Sequence, residues 1–98
     1  MPYLITRKAL ADINEIWLYT AENWSIEQAD RYYNLIFDEI EFIAKNFDLA
    51  RDMGWLREGY RASKVKSHIV FFRKTLNGEV EVVRVLHERM DLPDRLND

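Results

Sequence analysis

Apolar positions along the chain change their period near residue 47, so that a helical first half is followed by a stranded second half. Tyr3-Leu4-Ile5-Thr6 is a short β-prone run that ends on a residue suited to cap a helix. Leu10, Ile13, Trp17, Thr20 or Ala21, and Trp24 then recur at helical spacing. They predict one stripe of a helix over about 7–23, with Asp12, Glu15 and Glu22 on its other faces. Ser25-Ile26-Glu27-Gln28 has the form of a capping box, in which the Ser25 hydroxyl accepts from the Gln28 amide and the Gln28 side chain reaches back. The second stripe is Ala29, Tyr33, Ile36, Ile40, Ile43 and Phe47, and so short a connection makes the two helices an antiparallel hairpin.

Residues 47–59 hold neither period, and Gly54 among mixed charges predicts an irregular connection. Strands follow at Tyr60 to Val65, His68 to Leu76 and Glu79 to His87, the last two flanking Asn77-Gly78. That dipeptide predicts a two-residue type I′ hairpin. Its register sets Lys74 opposite Glu81, Phe72 opposite Val83, Val70 opposite Val85 and His68 opposite His87 on the side given to the helices. The other side carries Ile69, Phe71, Val82 and Leu86 together with Arg73 and Arg84. An apolar face with two arginines, left open, calls for a partner. Beyond His87 the chain is polar around Met90 and Leu92, with Pro93 interrupting, and residues 87–98 are expected to be a mobile tail.

With 98 residues, 48% of them apolar and 32% charged, the chain is sized for one domain, 1–98. No apolar run reaches membrane-spanning length, and Arg7 and Lys8 interrupt the amino-terminal stretch where a signal peptide would be apolar. A cytoplasmic protein without membrane contact is the expectation. The absence of cysteine removes disulfides, thiolate nucleophiles and Cys-ligated zinc. The net charge of −3 conceals a division: residues 12–48 carry nine acidic and two basic side chains, whereas Arg57 to Lys74 holds six basic residues against Glu58. A pI near 5.4 still lacks the field of a sequence-independent DNA binder.

Chemistry is sparse. His68 and His87 are the only two imidazoles, too few for a metal site, and they read as a pair packed at the end of the sheet. There is no glycine-rich elbow for a serine nucleophile and no GxxxxGK or GxGxxG loop for a nucleotide. No cofactor is implied. A metal-independent ribonuclease needs only cations and an acid–base pair, which Arg61, Arg73, Arg84, Arg89 and the histidines could supply. Against it, arginines on an open sheet face equally await an acidic partner. Trp17, Trp24, Tyr33 and Phe47 lie on the apolar stripes and read as core rather than as a base-stacking platform.

Three stretches carry a resemblance that spans nearly the whole chain: Glu15-Ile16-Trp17 with Tyr19, Trp24 and Glu27-Gln28-Ala29; Leu56-Arg57-Glu58-Gly59-Tyr60-Arg61 with Ser67-His68-Ile69-Val70-Phe71-Phe72-Arg73; and Arg84-Val85-Leu86-His87-Glu88-Arg89-Met90-Asp91. In this order they resemble the ParE branch of the RelE/ParE superfamily of type II toxin–antitoxin modules. The resemblance implies an α+β fold, β-α-α-β-β-β, with a helical hairpin packed on one face of a small, mainly antiparallel sheet. It implies a growth-inhibiting toxin that binds DNA gyrase and is neutralised by a ParD-type antitoxin, a ribbon-helix-helix protein whose disordered tail folds on the toxin. DNA would be reached only through the antitoxin or gyrase.

The alternative is a RelE-like, ribosome-dependent messenger-RNA interferase using Arg61, Arg84, Arg89 and His87. The residues of that branch are incompletely matched: Ser63 and Ile69 stand where basic residues are usual, and no tyrosine follows Tyr60. Departures from the ParE pattern are milder, Ser25 and Lys66 replacing usual glycines and Phe72 a tyrosine. Ile69, Phe71, Arg73, Val82, Arg84 and Leu86 are the expected antitoxin contacts, and Arg61, His87, Arg89 and Met90 the expected toxicity residues. Catalytic and metal-binding residues are not expected.

Overall fold

Thr6 joins the first strand to the first helix. Its hydroxyl accepts from Ala9 N at 3.0 Å as the N-cap and donates to Val83 O at 2.8 Å, while its amide donates to Val82 O at 3.0 Å. In the computed structural model, which describes residues 3–90 and 92–96, the order is β1 (Tyr3–Ile5), α1 (Arg7–Asn23), α2 (Ile26–Lys45), a 3-10 turn (Phe47–Leu49), β2 (Arg51–Asp52), β3 (Arg61–Val65), β4 (His68–Lys74), β5 (Val80–His87) and α3 (Leu92–Leu96). The sheet order is β1-β5-β4-β3-β2, with β1 parallel to β5 and the other pairs antiparallel. This is the α+β architecture expected, extended by the two-residue strand β2 within the irregular connection. No helix among the described residues is long and apolar enough to cross a membrane.

Ser25 caps α2 as its sequence predicts, its Oγ accepting from Gln28 N at 3.0 Å, which contributes about 1 kcal/mol to the helix. The inward stripe of α2 is Ala29, Ile36, Ile40 and Ile43; that of α1 is Ala9, Ile13 and Thr20. The phase of α1 therefore differs from the expected stripe. Leu10 and Trp24 are exposed, Trp17 is half-buried, and Asp12, assigned to another face, turns inward at the margin of the sheet. Tyr33 is likewise exposed, while its neighbour Tyr32 packs against the core and Phe47 lies half-buried in the 3-10 turn. Only one side of a two-layer hairpin meets the sheet, so a stripe five residues wide cannot all be covered.

The hairpin tip corrects the predicted register. Thr75 N donates to Glu79 O and Gly78 N to Thr75 O, which makes the loop the three residues Leu76-Asn77-Gly78. Gly78 has φ 82°, but Asn77 has no positive φ, and a type I′ turn requires one at both central positions. Pairing therefore begins one step off, with Lys74 opposite Val80, Arg73 opposite Glu81 and Phe72 opposite Val82. Val83 is then left without a partner as a β-bulge, and from Phe71 opposite Arg84 to His68 opposite His87 the register is the predicted one. The bulge exchanges two faces: Val82 lies under the helices and Val83 on the other side. It also gives Glu81 to Arg73, at 2.7 Å, in place of Lys74.

The second face of the sheet is not open. Phe71 and Leu86 are buried there under Met53 and Tyr60 from the long connection and Leu96 from α3, with Ile69, Val83, Leu56 and Leu92 around them. Each large apolar side chain so covered contributes roughly 1.5–3 kcal/mol. The tail expectation is corrected with it, since Leu92–Leu96 is a short helix laid on this second core; Asp91, Asn97 and Asp98 lie outside the described residues. Arg57 Nη1 donates to Leu96 O at 3.0 Å and Arg84 Nη1 to Arg95 O at 3.1 Å, fixing the helix by its last carbonyls.

Arg84 is anchored in turn by Asp12. Its Nε and Nη2 reach Asp12 Oδ2 and Oδ1 at 2.8 and 3.0 Å, and the same Oδ2 accepts from Val85 N at 3.0 Å. Both side chains are largely buried, so removing the carboxylate strands a guanidinium and a strand amide. Asp12→Ala is expected to cost about 3 kcal/mol in urea unfolding, and Arg73→Ala, which loses only the exposed pair with Glu81, less than about 1 kcal/mol. In the turn between β3 and β4, Lys66 holds φ 53°, the left-handed region that favours glycine. Lys66→Gly should accordingly raise stability, by up to about 1 kcal/mol, in the same measurement.

Candidate functional site

The two-residue turn at Lys66-Ser67 and the end of β5 bring His68 and His87 together beneath the hairpin of α1 and α2. Their ring centroids are 5.2 Å apart with the planes at 83°. Above them opens a groove of about 600 Å³. It is lined by Ile16, Tyr19 and Thr20 of α1 with Trp24 just past its end, by Gln28 and Tyr32 of α2, by Val85 and Met90, and by the charged Asp12, Glu15 and Lys66. Trp24 and Tyr19 are 75% and 64% exposed, so the rim is aromatic and accessible.

Hydrogen bonds fix the two rings. Tyr32 Oη contacts Val65 O at 2.9 Å and His68 Nδ1 at 2.6 Å. A carbonyl can only accept, so the phenol proton goes to Val65 O and His68 Nδ1–H donates to the phenol oxygen. His87 Nδ1 accepts from Arg89 N at 3.1 Å, which places the hydrogen of neutral His87 on Nε2. Such a pair offers one lone pair, not two, to a metal. Among the described residues no group of three or more His, Asp or Glu is placed to hold one. Burial, and then the proximity of His87, depress the His68 pKa below the usual imidazole value against the smaller opposing pull of Glu88 and Asp12. Burial raises the Tyr32 pKa.

Of the expected toxicity residues, His87 and Met90 line the groove, and Arg89 lies between them in the chain with its amide on His87 Nδ1. Arg61 is at the opposite end of the sheet, paired with Phe72, four residues along β4 from His68 and so on the order of 13 Å away along the strand. Its Nη1 donates to Ala50 O at 2.7 Å and its guanidinium lies over the Phe47 ring. Arg84 is held by Asp12. Arg61 and Arg84 of the nuclease alternative are therefore engaged away from His87, and Ser63 spends its hydroxyl on Glu39. Of the expected antitoxin contacts, Phe71, Val82 and Leu86 are buried, Val82 on the helix side; Ile69 and Arg84 are partly covered, and Arg73 is exposed but paired. Phe71→Glu would now report lost folding before it reported lost binding.

Tyr32 and Asp12 were not singled out from sequence. Asp12 carries its own signal, since it precedes Ile16 and Thr20 by successive helical turns on the inward side, where a carboxylate requires a partner. Tyr32 and Tyr33 are both at helical spacing from Ala29 and Ile36, and only the angle of the hairpin on the sheet selects between them.

Residues 3–92 match the family model described as ParE toxin of type II toxin-antitoxin system, parDE. The chain is 38% identical over 94 residues to Toxin ParE1 of Mycobacterium tuberculosis (strain ATCC 25618 / H37Rv), covering 96% of both chains. It is 39% identical over 90 residues to Toxin ParE1 of Caulobacter vibrioides, covering 92% of both. A solved structure titled "Chromosomal ParDE TA system from P. aeruginosa" has the same fold, with TM-score 0.77 at 19% identity, covering 89% of this chain and 95% of that one.

The histidine–tyrosine network predicts a pH dependence. A histidine whose pKa falls on folding stabilises the fold above its unfolded value near 6.5, and that contribution is lost as pH drops through the folded value. A tyrosine raised on folding acts oppositely, its contribution fading as pH rises past about 10. Urea midpoints should therefore be highest between these limits. Tyr32→Phe should reduce the alkaline fall, and His68→Gln should remove the part of the acid fall that begins near pH 6.5.

Proposed function

Since the chain belongs to the ParE toxin family of type II toxin–antitoxin systems, we propose that it arrests growth by binding DNA gyrase, with no reaction catalysed by its own residues, and that a ParD-type antitoxin neutralises it. The observation that carries the choice of a binding toxin over a nuclease is the fate of its arginines. Arg84 is bound by Asp12 and Arg61 by backbone carbonyls at the far end of the sheet, so two of the three arginines that phosphoryl chemistry would call on are engaged away from His87. Around His87 lies a recognition surface of exposed Trp24, Tyr19 and Met90, with the exposed Arg89 next to Met90 in the chain. Aromatic and arginine side chains of this kind anchor protein interfaces.

Gyrase contact is assigned to that rim. The antitoxin, a ribbon-helix-helix protein whose disordered tail orders on the toxin, meets the sheet side at the accessible margin formed by Ile69 and Arg73. Phe71 and Leu86, buried on the same face, support that margin. DNA is reached through gyrase or the antitoxin.

The test is gyrase supercoiling of relaxed plasmid with increasing amounts of the purified chain. Dose-dependent inhibition is expected, reversed by the antitoxin encoded by the neighbouring gene. Arg89→Glu combined with Met90→Ala should weaken inhibition at least about tenfold while the unfolding midpoint stays unchanged. Full supercoiling in the presence of folded protein, with cleavage of messenger RNA on ribosomes instead, would replace this reading by the interferase one.

A further inference from the structure

The floor of the groove has a polarity that neither gyrase nor an antitoxin is needed to explain. His68 Nδ1 is committed to Tyr32 and His87 Nδ1 to Arg89 N, so the nitrogen left on each ring is Nε2. No hydrogen bond is made by either Nε2 among the described residues. Among the described residues no buried side-chain nitrogen or oxygen lacks one, so both Nε2 atoms are accessible. Both rings line the groove. By the tautomers derived above, His68 presents a lone pair and His87 an N–H, on rings whose centroids are 5.2 Å apart.

We infer that the groove is a binding site for a neutral, planar ligand bearing a primary carboxamide, whose oxygen accepts from His87 Nε2–H and whose syn N–H donates to His68 Nε2. The surroundings suit such a ligand. A cavity of about 600 Å³ lined mainly by apolar side chains, with Asp12, Glu15 and Lys66 beside the two histidines among its polar residues, is of the size and character that takes small molecules. Trp24 and Tyr19 supply aromatic faces for the ligand's flat body, and Ile16 and Val85 an apolar bed. A carboxylate fits less well, because it brings two acceptors and would set one against the His68 lone pair. A tertiary amide lacks the hydrogen that His68 accepts. The site is independent of the gyrase reading, and either can fail alone.

The experiment uses the intact chain with uniformly 15N-labelled histidine at pH 8, and benzamide as the probe. Nitrogen shifts report the tautomers directly: His68 should carry its hydrogen on Nδ1 and His87 on Nε2. Saturating benzamide should shift both Nε2 resonances. N,N-dimethylbenzamide and benzoate, each with one mismatched hydrogen-bonding position, should bind at least about tenfold more weakly. Trp24→Ala, at an exposed position that the fold does not use, should weaken benzamide severalfold and leave the unfolding midpoint in place. The same tautomer on both histidines, equal binding of the three probes, or no movement of either Nε2 resonance at saturation would each overturn the assignment.

Discussion

Strand β5 is eight residues long and its neighbour on one side, β1, only three. The fold depends on how the remaining edge of β5 is satisfied. Unpaired strand amides and carbonyls beside a hydrophobic core are costly, and here side chains take the place of the missing strand. Thr6 binds the carbonyl of the bulged Val83, and Asp12 binds the amide of Val85. Because both residues belong to the start of the helical hairpin, the same bonds orient that hairpin on the sheet. Asp12 also anchors Arg84, and Arg84 holds the last turn of α3. A few polar contacts on one edge thereby locate the layers on both faces.

The bulge is the other half of this arrangement. Without it the three-residue loop would carry its one-step offset down the whole hairpin, and every residue from Val83 to His87 would face the wrong way. Absorbing the offset at Val83 restores the alternation, so Val85 is under the helices, Leu86 is in the second core, and His87 is directly opposite His68. The groove is thus assembled by a correction made four residues away in the strand.

Periodicity and turn chemistry made most of the architecture legible. The N-caps at Thr6 and Ser25, the extent of both long helices, the hairpin and the His68–His87 pairing are all readable from residue types and spacing. What was not readable depends on angles and distant partners. Asn77-Gly78 serves a two-residue or a three-residue loop, and the choice moves Val82 and Val83 between faces. The second face looked open because its cover comes from Met53, Tyr60 and Leu96, drawn from an aperiodic connection and from a segment past a proline. Apolar residues without a period give no sign of the surface they will cover. The same holds for the groove: the His68–His87 pairing follows from the strands, whereas Tyr32 and Asp12 acquire their places only when helices and sheet are set against each other.

The cover on the second face has a consequence for synthesis of the chain. Phe71 and Leu86 are in place once the hairpin has formed, but Leu96, which seals them, is made ten residues after Leu86. Until Leu96 docks, the folding chain presents an apolar sheet face. Strand β1 too must wait for β5, some 75 residues later, before it can pair. Such delayed, long-range closure slows folding and prolongs the life of an adhesive intermediate. A protein able to bind that face would meet the chain before its fold is complete.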